Sequence, residues 1–328
     1  MIIRQYQLIK HRKAPDITDL SDENFFTVGE KAFFKNQIVE QIIFPSKMTN
    51  IKGQAMAKCA NLQTVSLNSQ GRVGISTAAM ADCHRLEQVE NMETVTAIGD
   101  RAFLNCFLLK NMELGASLQR IGEGAFENCR SITEIHLPDG VKSIGKYAFS
   151  GCRGLQKATV GAGCTAIAKG TFRNCTSLSE INLPDQVVEI QADAFRNCAT
   201  LMQFRLPNGV EKLGNRAFLG CRTLKNLTTG ANCRKIGAFA FDQNPMLEEV
   251  HLSNAVKHLG FGAFGLKKRE KKIRICVNNE YMLRKIRRQL LFCGSYRCAE
   301  AVMVGKTIAE RKRERHRSTL EQTAAHIS

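Results

Sequence analysis

Cysteine is the residue type whose number and spacing in this chain first suggest chemistry. The sequence has 13 cysteines, and eight of them recur at intervals of 23 or 24 residues. These eight are Cys59, Cys83, Cys106, Cys129, Cys152, Cys175, Cys198 and Cys221. Thiols at a fixed spacing could ligate a series of metal ions or form a stack of disulfides.

Neither metal binding nor disulfide formation fits this spacing. Zinc sites pair their cysteines closely, and the sequence contains no CxxC. If the cysteines lie on successive rungs of a repeat, their Cβ vectors are parallel and do not aim one sulfur at the next. We therefore predict reduced thiols that face a packed core, and we predict no metal site and no cofactor.

Catalytic motifs are weak throughout the chain. Gly260, Gly262 and Gly265 spell GxGxxG, but they fall at positions that the chain repeats elsewhere, so the match to a dinucleotide-binding loop is a coincidence of phase. The seven histidines form no HExxH, and no GxSxG occurs. Because nothing assembles a nucleophile, a base and an oxyanion donor, we predict that the protein is not an enzyme.

The cysteines belong to a longer internal repeat. A Phe or Met recurs every 23 residues, with one step of 24, through eleven units that account for most of residues 28–276. These positions are Phe33, Met56, Met80, Phe103, Phe126, Phe149, Phe172, Phe195, Phe218, Phe241 and Phe264. An aliphatic residue stands five positions before each of them. One unit cannot bury its apolar face alone, so stacked units must share one continuous core.

Each unit also contains a short alternating run, such as Ile135-His136-Leu137, that predicts a strand with one buried face. A Gly follows the aliphatic residue in seven units, for example Gly122 and Gly145, and we attribute it to a backbone position with positive φ. A period of 23 residues leaves no room for long helices between the strands.

This pattern carries a family resemblance. Residues 131–155, SITEIHLPDGVKSIGKYAFSGCRGL, resemble the BspA-type leucine-rich repeat, and the resemblance extends over residues 28–276. It implies an α/β repeat protein: a curved leucine-rich-repeat solenoid, or horseshoe, of about eleven 23-residue repeats with short strands and little helix. We divide the chain into a basic N-terminal segment and cap (1–27), the solenoid (28–276) and a basic amphipathic capping helix and tail (277–328).

The capping helix is predicted from its start signal and its apolar stripe. Asn278 or Asn279 can cap a helix that has Glu280 in its first turn, and Gly294 can end it. The apolar stripe consists of Met282, Leu283, Ile286, Leu290 and Leu291. Such a helix would cover the open end of the solenoid.

The outward strand positions are the predicted partner-binding surface. In leucine-rich repeats the strands line the concave side, so the resemblance implies that partners bind there. The charged members of this row are Glu90, Glu113, His136, Arg205, His251 and Arg274. The alternative is a solvated sheet face that binds nothing.

The positive charge is concentrated at the two ends of the chain. The net charge is +17, yet residues 265–328 alone hold 17 basic and 6 acidic residues, and residues 1–13 hold four more basic ones. The body is therefore nearly neutral and carries no basic stripe. The basic residues of the C-terminal segment include Arg284, Lys285, Arg287, Arg288, Arg311, Lys312, Arg313 and Arg315.

The cellular compartment is predicted from the lack of a membrane-spanning stretch and of a secretory signal. No window approaches roughly 18 uninterrupted apolar residues, so we predict no membrane span. Residues 1–13 are basic but lack the apolar stretch of a secretory signal. Together with an odd number of cysteines, this favours a cytoplasmic protein.

Three functions remain open at this point. The sequence best predicts a non-catalytic protein-interaction scaffold, monomeric, with an unidentified protein partner bound on its strand-lined face. The first alternative is a nucleic-acid- or ribosome-associated protein that acts through the basic C-terminal segment, although aromatic residues are not interleaved with its charges. The second is a cell-surface adhesin exported by an unrecognised route, because members of the family are often surface proteins.

Overall fold

The protein is a parallel β-solenoid with one C-terminal α-helix. The computed structural model describes residues 2–3, 17–265, 273–278, 280–292 and 302–304. In these residues most coils contribute one strand to each of two ladders, and every strand pair is parallel. This confirms the repeat solenoid predicted from the 23-residue period.

The first ladder, ladder A, is built mostly from two-residue strands. It consists of β1 (Ile2–Ile3), β3 (Thr27–Val28), β5 (Asn50–Ile51), β7 (Val73–Ile75), β9 (Val95–Ile98), β10 (Arg120–Ile121), β12 (Ser143–Ile144), β14 (Ala166–Ile167), β16 (Glu189–Ile190), β18 (Lys212–Leu213), β20 (Lys235–Ile236) and β22 (His258–Leu259). Its strands form one sheet from β1 to β12 and a second from β14 to β22. The aliphatic residue that ends each strand from β3 to β22 is buried in the core.

The second ladder, ladder B, is built mostly from three-residue strands. It consists of β2 (Ile17–Asp19), β4 (Gln41–Ile43), β6 (Thr64–Ser66), β8 (Gln88–Glu90), β11 (Glu134–His136), β13 (Lys157–Thr159), β15 (Glu180–Asn182), β17 (Gln203–Arg205), β19 (Asn226–Thr228), β21 (Glu249–His251), β23 (Arg274–Val277) and β24 (Val302–Val304). The middle residue faces the core, so the flanking residues point outward. We call the outward side of ladder B the strand face.

Ladder B is interrupted where a side chain replaces a backbone acceptor. No strand is assigned at residues 111–113 of the described chain. There Asn111 Oδ1 accepts the amides of Thr133 and Glu134 at 2.8 and 3.1 Å. One coil later the same two amide positions, Gln156 and Lys157, donate to a backbone carbonyl. The Asn111 side chain therefore keeps the coil in place without the ladder bond.

A column of aromatic rings runs through the core. Eight phenylalanines from Phe103 to Phe264 stack on their neighbours with centroids 5.0–5.7 Å apart and planes within 18° of parallel. Each of these rings is fully buried. The column explains why Phe recurs at this position from Phe103 onward, because a smaller side chain would leave a cavity between two rings.

The glycine that follows the aliphatic residue is required for a different reason from the one predicted. Gly145 does not have positive φ; a Cβ there would lie 2.4 Å from the Glu123 nitrogen of the preceding coil. The positive φ angles occur two residues before and two residues after the core Phe, for example at Gly124 and Asn128 around Phe126. Close approach of two backbones, and not turn geometry, therefore excludes a side chain at Gly145.

The C-terminal end departs from the period. Helix α1 spans Glu280–Phe292, and its residues Met282, Leu283, Ile286 and Leu290 are buried in the common core, as the apolar stripe predicted. A strand that was not predicted follows it, since β24 pairs with β23. A short 3-10 helix at Met92–Thr94 is the only other helix in the described residues.

The close approach at Gly145 gives a stability prediction. Gly145→Ala should lower the free energy of unfolding by about 1–3 kcal/mol, because the methyl group meets backbone that cannot move without shifting a whole coil. Gly53→Ala is the matched control, since its Cβ would lie 3.5 Å from the nearest atom. We expect a change within about 0.5 kcal/mol there. Urea denaturation followed by circular dichroism compares the two, and equal midpoints would contradict this assignment.

Candidate functional site

The eight repeated cysteines are buried hydrogen-bond donors. All eight are free thiols with no exposed surface. Each Sγ donates to the backbone carbonyl of the Phe or Met 26 or 27 residues earlier, at 3.0–3.2 Å; Cys152 to Phe126 and Cys175 to Phe149 are examples. Sequence reasoning predicted the burial but missed this bond. Asn244 takes the next cysteine position and donates to Phe218 in the same way.

Burial raises the pKa of several of these thiols. It raises the pKa of Cys152 and of Cys221 from an ordinary value of 9.0 to about 12. Burial likewise raises the pKa of Cys129, Cys175 and Cys198. A protonated, inaccessible thiol is a poor nucleophile, so this series builds the core and performs no chemistry.

The GxGxxG sequence is part of a repeat turn. Gly262 has φ +59 and occupies the left-handed position two residues before Phe264. Gly260 packs against the Ala238 nitrogen of the preceding coil, where a Cβ would lie at 2.3 Å. Both glycines therefore have structural roles that the other coils share.

The strand face brings most of the predicted partner-binding residues into one row. His136 of β11 is exposed, and its row continues through Thr159 of β13 to Asn182 of β15 in register. Arg205 of β17 is exposed in the corresponding place and pairs with Thr228. The row is divided at the interruptions of ladder B, so it forms three sections and not one continuous strip.

The acidic members of the row lie in its N-terminal half. Glu90 is half-buried, and its carboxylate accepts a hydrogen bond from the Ser66 hydroxyl on the neighbouring strand. Glu113 is exposed and lies at the interruption, outside any strand. Further along, Lys157 and Glu180 pair across adjacent strands, with Nζ and Oε2 3.7 Å apart. The strand face therefore carries both separate charges and a cross-strand ion pair.

The predicted position of Arg274 is wrong by two residues. The sequence row placed Arg274 beside His251, but β23 pairs Arg274 with Glu249 and Cys276 with His251. The reason is that the step between the last two coils is 25 residues and not 23. Arg274 lies 3.4 Å from Glu249 Oε2. Cys276, which is not one of the eight repeated cysteines, is therefore the register neighbour of His251 on ladder B, a placement that the 23-residue period does not predict.

A basic strip crosses the C-terminal half of the body, contrary to the sequence analysis. Lys212, Lys235 and His258 are register partners on adjacent strands of ladder A, and all three are exposed. Sequence reasoning missed the strip because a neutral net charge for the body hides charges that the fold aligns on one side. The spacing of 23 residues between the three is the signal that could have revealed it.

Helix α1 adds charge next to this strip. Gln289 donates to the Lys257 carbonyl and Lys285 to the Val256 carbonyl, so the helix lies against the segment that leads into β22. Arg284, Arg287 and Arg288 are exposed on its surface. Four further predicted basic residues lie outside the described residues: Arg311, Lys312, Arg313 and Arg315.

These observations define a class of protein: a parallel repeat solenoid with a uniform core and a variable polar face. The chain matches the family model described as the BspA type leucine rich repeat region, in six copies, at residues 16–114, 96–203 and 188–289. The protein therefore belongs to the BspA-type leucine-rich-repeat family, as the repeat pattern predicted. No curated protein sequence matches the chain.

Solved structures of leucine-rich-repeat proteins resemble this chain at low identity. The pneumococcal vaccine antigen PcpA is 18% identical, with a TM-score of 0.49, over 91% of this chain and 90% of that one. A leucine-rich cell surface protein from Faecalibacterium prausnitzii is 19% identical, with a TM-score of 0.46, over 91% and 90%. A leucine-rich repeat protein from Bacteroides ovatus is 21% identical, with a TM-score of 0.42, over 75% and 92%.

Among the described residues, no helix has the length and apolar character needed to cross a bilayer.

Because these thiols are buried, we predict that the free energy of unfolding falls at alkaline pH. Between pH values of about 9 and 12 the unfolded chain loses thiol protons that the folded chain retains, so unfolding releases protons. The free energy of unfolding should fall as pH rises, by about 1.4 kcal/mol per pH unit for each such thiol. Urea denaturation at several pH values above the ordinary thiol pKa measures this slope.

A double variant separates the thiols from other alkaline effects. In the double variant Cys152→Ala with Cys221→Ala, unfolding should release about two fewer protons than in the unchanged chain. The free energy of unfolding should therefore fall less steeply with pH. An identical slope in the two proteins would show that these cysteines do not carry the effect.

Proposed function

We propose that the protein is a non-catalytic scaffold that binds a partner protein through the strand face. The supporting observation is the contrast between the two sides of the ladder B strands. Inward positions are apolar in every coil from β4 to β23, whereas outward positions change between acidic, neutral polar and basic residues from coil to coil. Core packing explains the repetition but does not require the variety. A polar, varied surface on a rigid array is suited to recognising one particular partner.

The centre of the strand face is where the partner contacts are expected to concentrate. The side chains of His136 and Arg205 are exposed, and neither makes a hydrogen bond or ion pair with another described residue. Met202, 58% exposed, lies at the interruption between β15 and β17, and Ile181 beside this interruption is only partly buried. Arginine and exposed apolar side chains are both enriched at the centres of protein interfaces, which favours this part of the strand face.

The remaining charges on the face contribute specificity. Lys157, Glu180, Glu249 and Arg274 already form cross-strand pairs, so a partner must either leave these pairs intact or match them. Rim charges of this kind steer association and exclude wrong partners more than they add affinity. The scaffold is proposed to act as a monomer in the cytoplasm, where its free buried thiols remain reduced.

Replacing the central charges should release the partner. His136→Ala with Arg205→Ala is expected to reduce capture of the partner from crosslinked native cells by at least about tenfold, which corresponds to 1.4 kcal/mol or more. The readout is quantitative mass spectrometry of proteins bound to the full chain at physiological salt.

A matched variant away from the strand face controls for nonspecific loss of charge. Lys142→Ala with Arg216→Ala removes two exposed cationic residues that do not belong to ladder B. This variant should capture the partner as well as the unchanged chain does. Equal capture by all three proteins would show that the strand face is not the binding surface.

A second candidate function is polyanion binding, and the basic strip favours it. Lys212, Lys235 and His258 lie in register on ladder A, and helix α1 places Arg284 and Arg288 next to the same end of the body. Contacts between basic side chains and phosphates do not depend on the base sequence. A nucleic acid bound here would therefore be recognised by its sugar-phosphate backbone.

The salt dependence of RNA binding tests the second candidate. Four phosphate contacts from Lys212, Lys235, Arg284 and Arg288 predict a loss of affinity of roughly 100-fold between about 50 and 200 mM salt. Changing the two lysines to Ala should lower the slope of log K against log salt by about 1.8. Salt-independent binding, or a slope that the lysine variant does not alter, would contradict a role for the strip.

A further inference from the structure

Three metal-ligating side chains converge on the strand face near its C-terminal end. Glu249 and His251 are two residues apart on β21, so they share the outward side of that strand. Cys276 is the register partner of His251 on β23. Parallel pairing in register brings side chains on neighbouring strands within contact, and the 25-residue step is what places a cysteine beside this histidine.

The donor atoms of the three residues point toward a common centre. One ligand atom from each lies within 4.8 Å of the other two. Glu249 Oε1 lies 2.6 Å from His251 Nε2 and accepts a hydrogen bond from Cys276 Sγ at 3.6 Å. The imidazole and thiol protons thus occupy the space between the donors. A divalent cation that displaced them would find a thiolate, an imidazole and a carboxylate around it.

We propose that Glu249, His251 and Cys276 form a binding site for a divalent ion of the zinc class. Thiolate sulfur and imidazole nitrogen select zinc and similar borderline ions over calcium and magnesium, which prefer oxygen ligands alone. Three ligands leave one position of a tetrahedral ion for water or for a donor from a partner. This proposal does not depend on the scaffold function proposed above.

The unequal burial of the three ligands leaves a path by which an ion can enter from solvent. Cys276 is only 3% exposed, which protects its sulfur from solvent. The side chains of His251 and Glu249 retain 24% and 18% of their exposure, so the site opens to solvent on the β21 side. The open coordination position therefore faces outward, on the same surface that ladder B presents.

Arg274 positions the carboxylate for this role. Its Nη1 lies 3.4 Å from Glu249 Oε2, while the other carboxylate oxygen faces the histidine and the cysteine. Supporting contacts of this kind orient metal ligands in known sites. The cation of Arg274 also opposes the charge of a bound metal, but the carboxylate and the thiolate together more than balance it.

A second histidine on ladder B, His136, provides a matched control for the proposed metal site. His136 of β11 occupies the corresponding outward position, but its register partner on β13 is Thr159, which offers no comparable ligand. Among the described residues, the only group of three or more His, Cys, Asp and Glu ligands at this spacing is the one that contains His251. The pairing of a histidine with a cysteine across two strands is therefore particular to the last coils.

Cobalt titration of the full, reduced chain tests the site. After removal of metals with a chelator, Co²⁺ should bind at one equivalent per chain, with a thiolate-to-cobalt charge-transfer band and the visible bands of tetrahedral cobalt. Zn²⁺ should abolish both sets of bands. His251→Ala and Cys276→Ser should each weaken binding by at least about tenfold, and Cys276→Ser should also lose the charge-transfer band. His136→Ala should bind cobalt as the unchanged chain does.

Two results would overturn the proposal. One is the absence of a thiolate band at saturating Co²⁺. The other is a band that persists in folded Cys276→Ser, since the thiolate would then belong to another cysteine. If Cys276→Ser does not fold, as judged by circular dichroism, His251→Ala becomes the deciding variant. The His251 side chain is partly exposed, so its replacement should not prevent folding. Unchanged cobalt affinity in that variant would also refute the site.

Discussion

The structure depends on one constraint: each coil must lie directly against the next, with the same position over the same position. Around each core Phe from Phe103 to Phe218, three alternate amides donate to the following coil, as Gly124, Phe126 and Asn128 do to Lys146, Ala148 and Ser150. Two strand ladders add further bonds of the same kind. A coil that moved out of register would break all of them together. The repeated residues are those that this stacking requires.

That constraint explains why a solenoid core and a predicted partner surface can coexist in such short repeats. Stacked rings and buried thiols are set by the neighbouring coils. The Cys152 thiol, for example, gives a second hydrogen bond to the Phe126 carbonyl, which already accepts the Cys129 amide. Outward residues have no such neighbour requirement. They are free to vary, and any functional difference between members of this family is expected to lie among them.

Much of the fold could be predicted from sequence because the period is a direct consequence of stacking. The aromatic column, the buried cysteines and the apolar side of α1 all follow from spacing alone. Three features could not be predicted in this way. The role of Gly145 depends on a backbone contact between coils, the basic strip depends on alignment across ladder A, and the position of Cys276 depends on two extra residues before β23. Each is a property of how coils meet, which a single unit does not show.

The central claim is that the repeated cysteines are rungs of a packed core, and counting reactive thiols tests it most directly. The native, reduced chain is treated with a thiol reagent, and the modified cysteines are located by mass spectrometry. We expect the eight cysteines from Cys59 to Cys221 to remain unmodified in the folded protein and to react fully in denaturant. Rapid modification of these cysteines under native conditions, or disulfides between adjacent rungs, would contradict the account.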